Sequence, residues 1–266
     1  MNNTHEIDFE ISGEEMQCVS IELDPRETVV AEPGALLYMD GEIEMDTIFG
    51  DGSRSGGILD SLFSAGKRFL TGESLFMTSY TNMGLGKAKV HFAAPFPGKI
   101  IPLDLNEYDG KVICQKDAFL CTAKGNSIGI ELQRKISVGL FGGEGFIMQK
   151  IEGDGLAFLH TGGTVVERML KPGERIQVDT GCLVGFTQTI DYSIRSVKGI
   201  KNAFLGGEGL FLAELTGPGK VWIQSLPFSR LAHRIVSSVP RTGGKSRGEG
   251  SILGGIGDLL DGDNRF

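Results

Sequence analysis

Three glutamates occupy matching places along the chain. Glu73, Glu144 and Glu208 each follow a glycine and precede an apolar run, in GESLFMTSY, GEGFIMQKI and GEGLFLAEL. Carboxylates gathered at one point could hold a cation, or raise the pKa of one member by like-charge repulsion. The alternative is local, with each carboxylate accepting hydrogen bonds from backbone N–H groups of its own turn. Basic residues recur just upstream: Lys67 and Arg68, Arg134 and Lys135, Lys198 and Lys201. Beside them lie Phe69 and Leu70, Leu140 and Phe141, and Phe204 and Leu205. Brought to one face, these residues would make a basic, greasy surface suited to an anionic membrane or a protein partner. The same apolar residues could instead plug the end of a β core or form an oligomer interface. The glutamates and the basic residues are the candidate binding positions, and no catalytic residue is nominated.

Other chemistry finds little footing. His5, His91, His160 and His233 are scattered singly, without HxH, HExxH or Cys/His spacing. His91 and His160 fall in or next to matching strands, with Gln224 in the third copy, which leaves a shared axial metal conceivable but weakly signalled. No GxSxG elbow and no Walker-type GxxxxGK[ST] loop occurs. Cys18, Cys114, Cys121 and Cys182 form no CxxC and are expected to be small buried hydrophobes. Neither a cofactor nor a metal is expected, and the chain is expected not to be an enzyme.

The net charge of −8 repels phosphate backbones, so nucleic acid is a disfavoured partner. Trp222, beside Lys220, is the only tryptophan, and no repeated Lys–aromatic pattern offers stacking platforms. The N-terminus has neither a basic n-region nor an apolar h-region. No apolar run approaches the length of a membrane span. The expected location is cytoplasmic, peripheral at a membrane where the greasy surface binds one.

The elements that position these residues are β-strands. Glycine accounts for 40 of 266 residues, about twice ordinary usage, and falls mostly between short apolar runs. Each Gly-Glu strand is followed by a glycine-bearing turn and another strand: NMGLGKAKVHF, EGDGLAFLH and TGPGKVWIQ. This predicts a β-hairpin three times over. Before each lies a second element of two strands and a polar turn, beginning at Val29, Val112 and Ile176. Such a unit exposes edges and cannot bury its inner face alone. The expected fold is all-β, with three repeats around a pseudo-threefold axis and few short helices; a β-sandwich is the alternative. The three-repeat domain spans 1–235, with repeats near 7–105, 106–170 and 171–228. Helices are expected over 56–70 and, after Pro227, within 225–239. The glycine-rich tail, 236–266, is expected to be disordered.

AEPGALLYM, FPGKIIPLDL, LFGGEGFIMQKIEGDGLAFL and VKGIKNAFLGGEGLFLAELTGPGKVWIQSLP carry a family resemblance. Over about residues 10–235 the chain resembles the altered-inheritance-of-mitochondria (number twenty-four) family, whose function is unknown. The resemblance implies a fold similar to the trp RNA-binding attenuation protein, classed with double-stranded β-helices. It further implies a homo-oligomer, a trimer or a multiple of one, and no agreed enzymatic activity. The combined expectation is a non-enzymatic oligomeric β scaffold that contacts a membrane surface or protein partner. The alternative is a binding module for a small ligand, metal or nucleic acid in an axial or inter-repeat cavity.

Overall fold

The structure, a computed structural model, describes residues 4–49, 76–134, 146–196 and 211–238. Its strands are β1 (Asp8–Ser12), β2 (Cys18–Leu23), β3 (Thr28–Ala31), β4 (Leu36–Met39), β5 (Ile43–Phe49), β6 (Phe76–Asn82) and β7 (Ala88–Ala93). Next come β8 (Gly98–Asp104), β9 (Lys111–Gln115), β10 (Phe119–Ala123), β11 (Ser127–Arg134), β12 (Phe146–Glu152) and β13 (Leu156–Gly162). The last are β14 (Val165–Leu170), β15 (Arg175–Asp179), β16 (Leu183–Thr187), β17 (Asp191–Ser196), β18 (Phe211–Thr216) and β19 (Gly219–Gln224). Helix α1 (Phe228–Ser238) follows Pro227, as the sequence predicts. The all-β expectation holds. The helix expected over 56–70 and most of the tail lie outside the described residues.

Among the described residues four sheets form, ordered β1-β2-β7-β4, then β5-β6-β3-β10-β13-β8, then β11-β12-β9-β16-β19-β14, then β15-β18-β17. Every named pairing is antiparallel. The central strands β3, β10 and β16 are buried throughout. That is why they appear in the sequence as unbroken apolar runs rather than as alternations. Three cores separate the four layers. The first joins Val19, Ile21, Val90 and Phe92 to Val29, Leu120 and Phe158. The second joins Val30, Phe119 and Leu159 to Val112, Val184 and Trp222. The third joins Ile113, Met148 and Phe186 to Val178, Ala213 and Leu215.

The predicted hairpins are not hairpins. β6 pairs with β5 and β3, whereas β7 pairs with β2 and β4. β12 and β13, and likewise β18 and β19, also belong to different sheets. Each glycine-bearing turn is a corner that carries the chain from one layer to another. Gly153 and Gly219 take φ of 155° and 150° there, a conformation that disfavours other residues. Positive φ serves a corner as readily as a hairpin, so composition alone does not separate the two. The second element also holds three strands rather than two, as in β3, β4 and β5.

Candidate interaction surface

Of the nine candidate binding positions, Glu73, Glu144, Glu208, Lys67, Arg68, Lys135, Lys198 and Lys201 lie outside the described residues. So do Phe69, Leu70, Leu140, Phe141, Phe204 and Leu205. Arg134 is the last residue of β11, where its backbone lies opposite Phe146 of β12.

The histidines separate into different environments. His91 stacks on Tyr38, with ring centroids 3.9 Å apart and planes 16° from parallel. Partial burial holds its pKa below the ordinary value, against the pull of Asp40. His160 is buried, its Nε2 3.3 Å from Glu32 Oε1, its ring edge-on to Phe96 and its Nδ1 without a partner. The strand registers put them out of step. His91 lies opposite Tyr38, the place Phe158 takes opposite Cys121, so His160 sits two residues beyond the equivalent position. Among the described residues, no group of three His, Cys, Asp or Glu side chains could hold a metal.

His5 accepts a hydrogen bond at Nδ1 from the Thr28 N–H, at 2.9 Å. Burial, with Lys124 adding to it, lowers its pKa from the ordinary 6.5. The unfolded chain therefore takes up this proton at a higher pH than the folded one. The stability contributed by neutral His5 is present above about pH 6.5 and lost as pH falls through the lower folded value. Urea midpoints should drop between pH 7.5 and 5.5 in the wild type. They should drop less in His5→Gln, with His91 supplying part of the remaining slope.

The four cysteines are free thiols. Burial pushes Cys114 up to about 12 and Cys121 well above its ordinary value. Neither is a nucleophile, since the thiolate is the reactive form. Trp222 is fully buried, and its Nε1–H donates to Glu167 Oε1 at 3.1 Å. It offers no stacking platform for a base.

Part of the open surface is apolar. Leu37 and Tyr38 project from β4, which among the described residues is an edge strand paired on one side only. On α1, Phe228, Ile235 and Val236 are exposed, with Phe228 stacked on Phe96 at 5.4 Å. Phe228 and Ile235 lie seven residues apart on one helical face, with Arg230 and Arg234 turned away from it around the helix. Arg230 reaches Asp179 of β15 at 3.4 Å. The sequence reading missed the β4 edge. ALLYM is a strand-like run in either setting, and only the pairing shows that its other side is open.

These features define a class: an all-β protein of stacked antiparallel sheets whose outermost strands and C-terminal helix offer apolar surface. The chain belongs to the family described as Mitochondrial biogenesis AIM24, whose model matches residues 9–226. It is 28% identical over 225 residues to an uncharacterized protein of Streptococcus pyogenes serotype M6, covering 84% of this chain and 86% of that one. Its fold is similar to the X-ray crystal structure of a structural-genomics target protein from Streptococcus pyogenes, with a TM-score of 0.68 and 23% identity. That likeness covers 88% of this chain and 100% of the other. Among the described residues no helix is long and apolar enough to cross a membrane.

Proposed function

We propose that the protein is a non-catalytic, self-associating β scaffold, made of three diverged copies of one six-stranded unit, that contacts an anionic membrane surface or a protein partner. The sheet orders support the three-copy reading. Adding six to each strand number of β5-β6-β3-β10-β13-β8 yields β11-β12-β9-β16-β19-β14. The units then comprise β2–β7, β8–β13 and β14–β19, with β1 as an addition.

One observation carries the outward contact: the exposed apolar face of α1, formed by Phe228, Ile235 and Val236 on a helix that also bears two arginines. Such a helix lies along a headgroup boundary or in a partner's groove. At low salt the full-length protein should co-sediment with vesicles containing phosphatidylserine, and added salt should release it. Replacing Ile235 and Val236 together by aspartate should weaken binding by about tenfold or more, since each side chain contributes roughly 1.5–3 kcal/mol when buried. If the protein ignores vesicles at low salt, the membrane branch is wrong and the face serves a protein.

A second reading is a binding module for a small ligand. It is favoured by the buried, unpartnered Nδ1 of His160. An ordered ligand at that ring would carry this reading, and a site that stays dry would remove it.

A further inference from the structure

We infer that copies of this chain associate head to tail, with β15 of one copy pairing antiparallel with β4 of the next. This rests on the self-association proposed above and names the surfaces that perform it. The sheets are the starting point. Each six-stranded sheet joins a three-stranded half from one unit to a three-stranded half from the next, through β3–β10 in one and β9–β16 in the other. The two small sheets are the halves left over. β15-β18-β17 matches β3-β6-β5 and β9-β12-β11, with β15 as the open edge among the described residues. The strands β4, β7 and β2 match β10, β13 and β8, with β4 as the open edge among the described residues. Edge to edge, the two small sheets complete a third sheet of the same order.

The register follows from the two joins already present. Cys121 lies opposite Ala31, and Gly185 lies opposite Cys114. Tyr38 holds the place of Cys121 and Gly185, because each follows the same irregularity in pairing with its neighbour: Leu36/Tyr38, Phe119/Cys121 and Leu183/Gly185. Val178 holds the place of Ala31 and Cys114, lying opposite Ala213 as they lie opposite Thr78 and Gln149. Tyr38 of one copy therefore faces Val178 of the other. Met39 then faces Gln177, and Asp40 faces Ile176.

Burial agrees with a missing neighbour. Leu37 and Tyr38 are 54% and 55% exposed, while Leu120, Cys121 and Val184 at the matching places are 0% exposed. His91, stacked on Tyr38, stands where Phe158 and Trp222 are fully buried. An open strand edge with large apolar side chains is a template for another strand. The two edges differ, so each copy uses one and offers the other. Such a heterologous contact closes into a ring or propagates as a filament.

The test uses the full-length protein. Light scattering of the wild type should give a mass that is a multiple of the 28.6 kDa chain. The double substitution Leu37→Lys with Tyr38→Lys places charge on an already exposed edge. It should return the protein to a folded monomer with an unchanged far-ultraviolet circular dichroism spectrum, its melt lowered only by the lost association. A second variant, Tyr38→Cys with Val178→Cys, puts thiols directly opposite each other across the join, within disulfide reach. Mild oxidation should link copies into a covalent ladder that reductant dissolves. An oligomer that survives both lysines and does not cross-link overturns the pairing but leaves self-association intact. A disulfide formed only within one copy also overturns it, because the sheet would then close inside the chain. A monomeric wild type, with β4 amides protected from exchange by its own C-terminal segment, removes the pairing and the self-association together.

Discussion

Replacing Trp222 by alanine should lower the free energy of unfolding by about 3–5 kcal/mol, the range for emptying a large aromatic site in a packed core. The side chain is fully buried on β19, in the core between the two six-stranded sheets. Tyr108 meets it edge-on at 5.5 Å, and Lys220 Nζ lies 5.3 Å from the ring centre. Val112 and Cys114 of its own sheet and Leu159 of the facing sheet share this core, so a cavity here loosens both layers at once. Trp222→Phe keeps most of the packing but removes the donor to Glu167. That carboxylate is half exposed and can be solvated, so the cost should be nearer 1–2 kcal/mol. Urea unfolding followed by far-ultraviolet circular dichroism measures both, since either variant lacks the only tryptophan reporter. Equal losses in the two variants would mean that the hydrogen bond, not the volume, matters at this site.

Gly98→Ala should destabilise by about 3 kcal/mol, at the upper end of what overpacking costs. Gly98 on β8 lies directly opposite Gly162 on β13. A Cβ at Gly98 would fall 1.6 Å from the Thr161 carbonyl oxygen and 3.0 Å from the Gly162 Cα. Every one of those neighbours is backbone, so no side chain can swing aside and the strand itself must move. Gly162 is hemmed in the same way, its added Cβ lying 1.8 Å from the Leu226 carbonyl oxygen. Gly86 is the control: a Cβ there meets nothing within 4 Å, and its φ is not positive. Gly86→Ala should be neutral or slightly stabilising, by up to about 1 kcal/mol through the unfolded chain. Thermal melts of the two variants side by side decide the matter. A Gly98→Ala melt no lower than that of Gly86→Ala would mean that β8 and β13 are not as close as described.

Much of the strand content was legible because local pattern reports it. The buried runs VVA, FLCTA and LVGFT, and the glycine corners between apolar segments, mark where strands begin and end. Helix α1 was legible too, from Pro227 as a starting signal and from the spacing of Leu231 and Ile235. Partner choice was not. The segments around β6 and β7 have the composition of a hairpin, yet the two strands lie in different sheets, because pairing depends on residues far away in the chain. Thr28 pairs with Thr81, and Thr122 pairs with Val30. Trp222 shows the same limit. Its position beside Lys220 on a predicted strand suits an exposed platform as well as a core, and only the packed layers around it decide for the core.

By itself, then, the sequence determined an all-β chain with a recurring strand pattern, glycine at its corners and a short C-terminal helix. Side-chain alternation, φ freedom and proline stops are properties of neighbouring residues, and these are written locally. The tertiary structure alone decided which strands share a sheet, which histidines and thiols are buried, and which edges remain open. Those outcomes depend on hydrogen bonds and contacts between distant segments. Leu37 and Leu120 are the same residue type at matching places, and Leu120 is buried because it lies in the core where the first two sheets pack together, whereas Leu37 stays exposed.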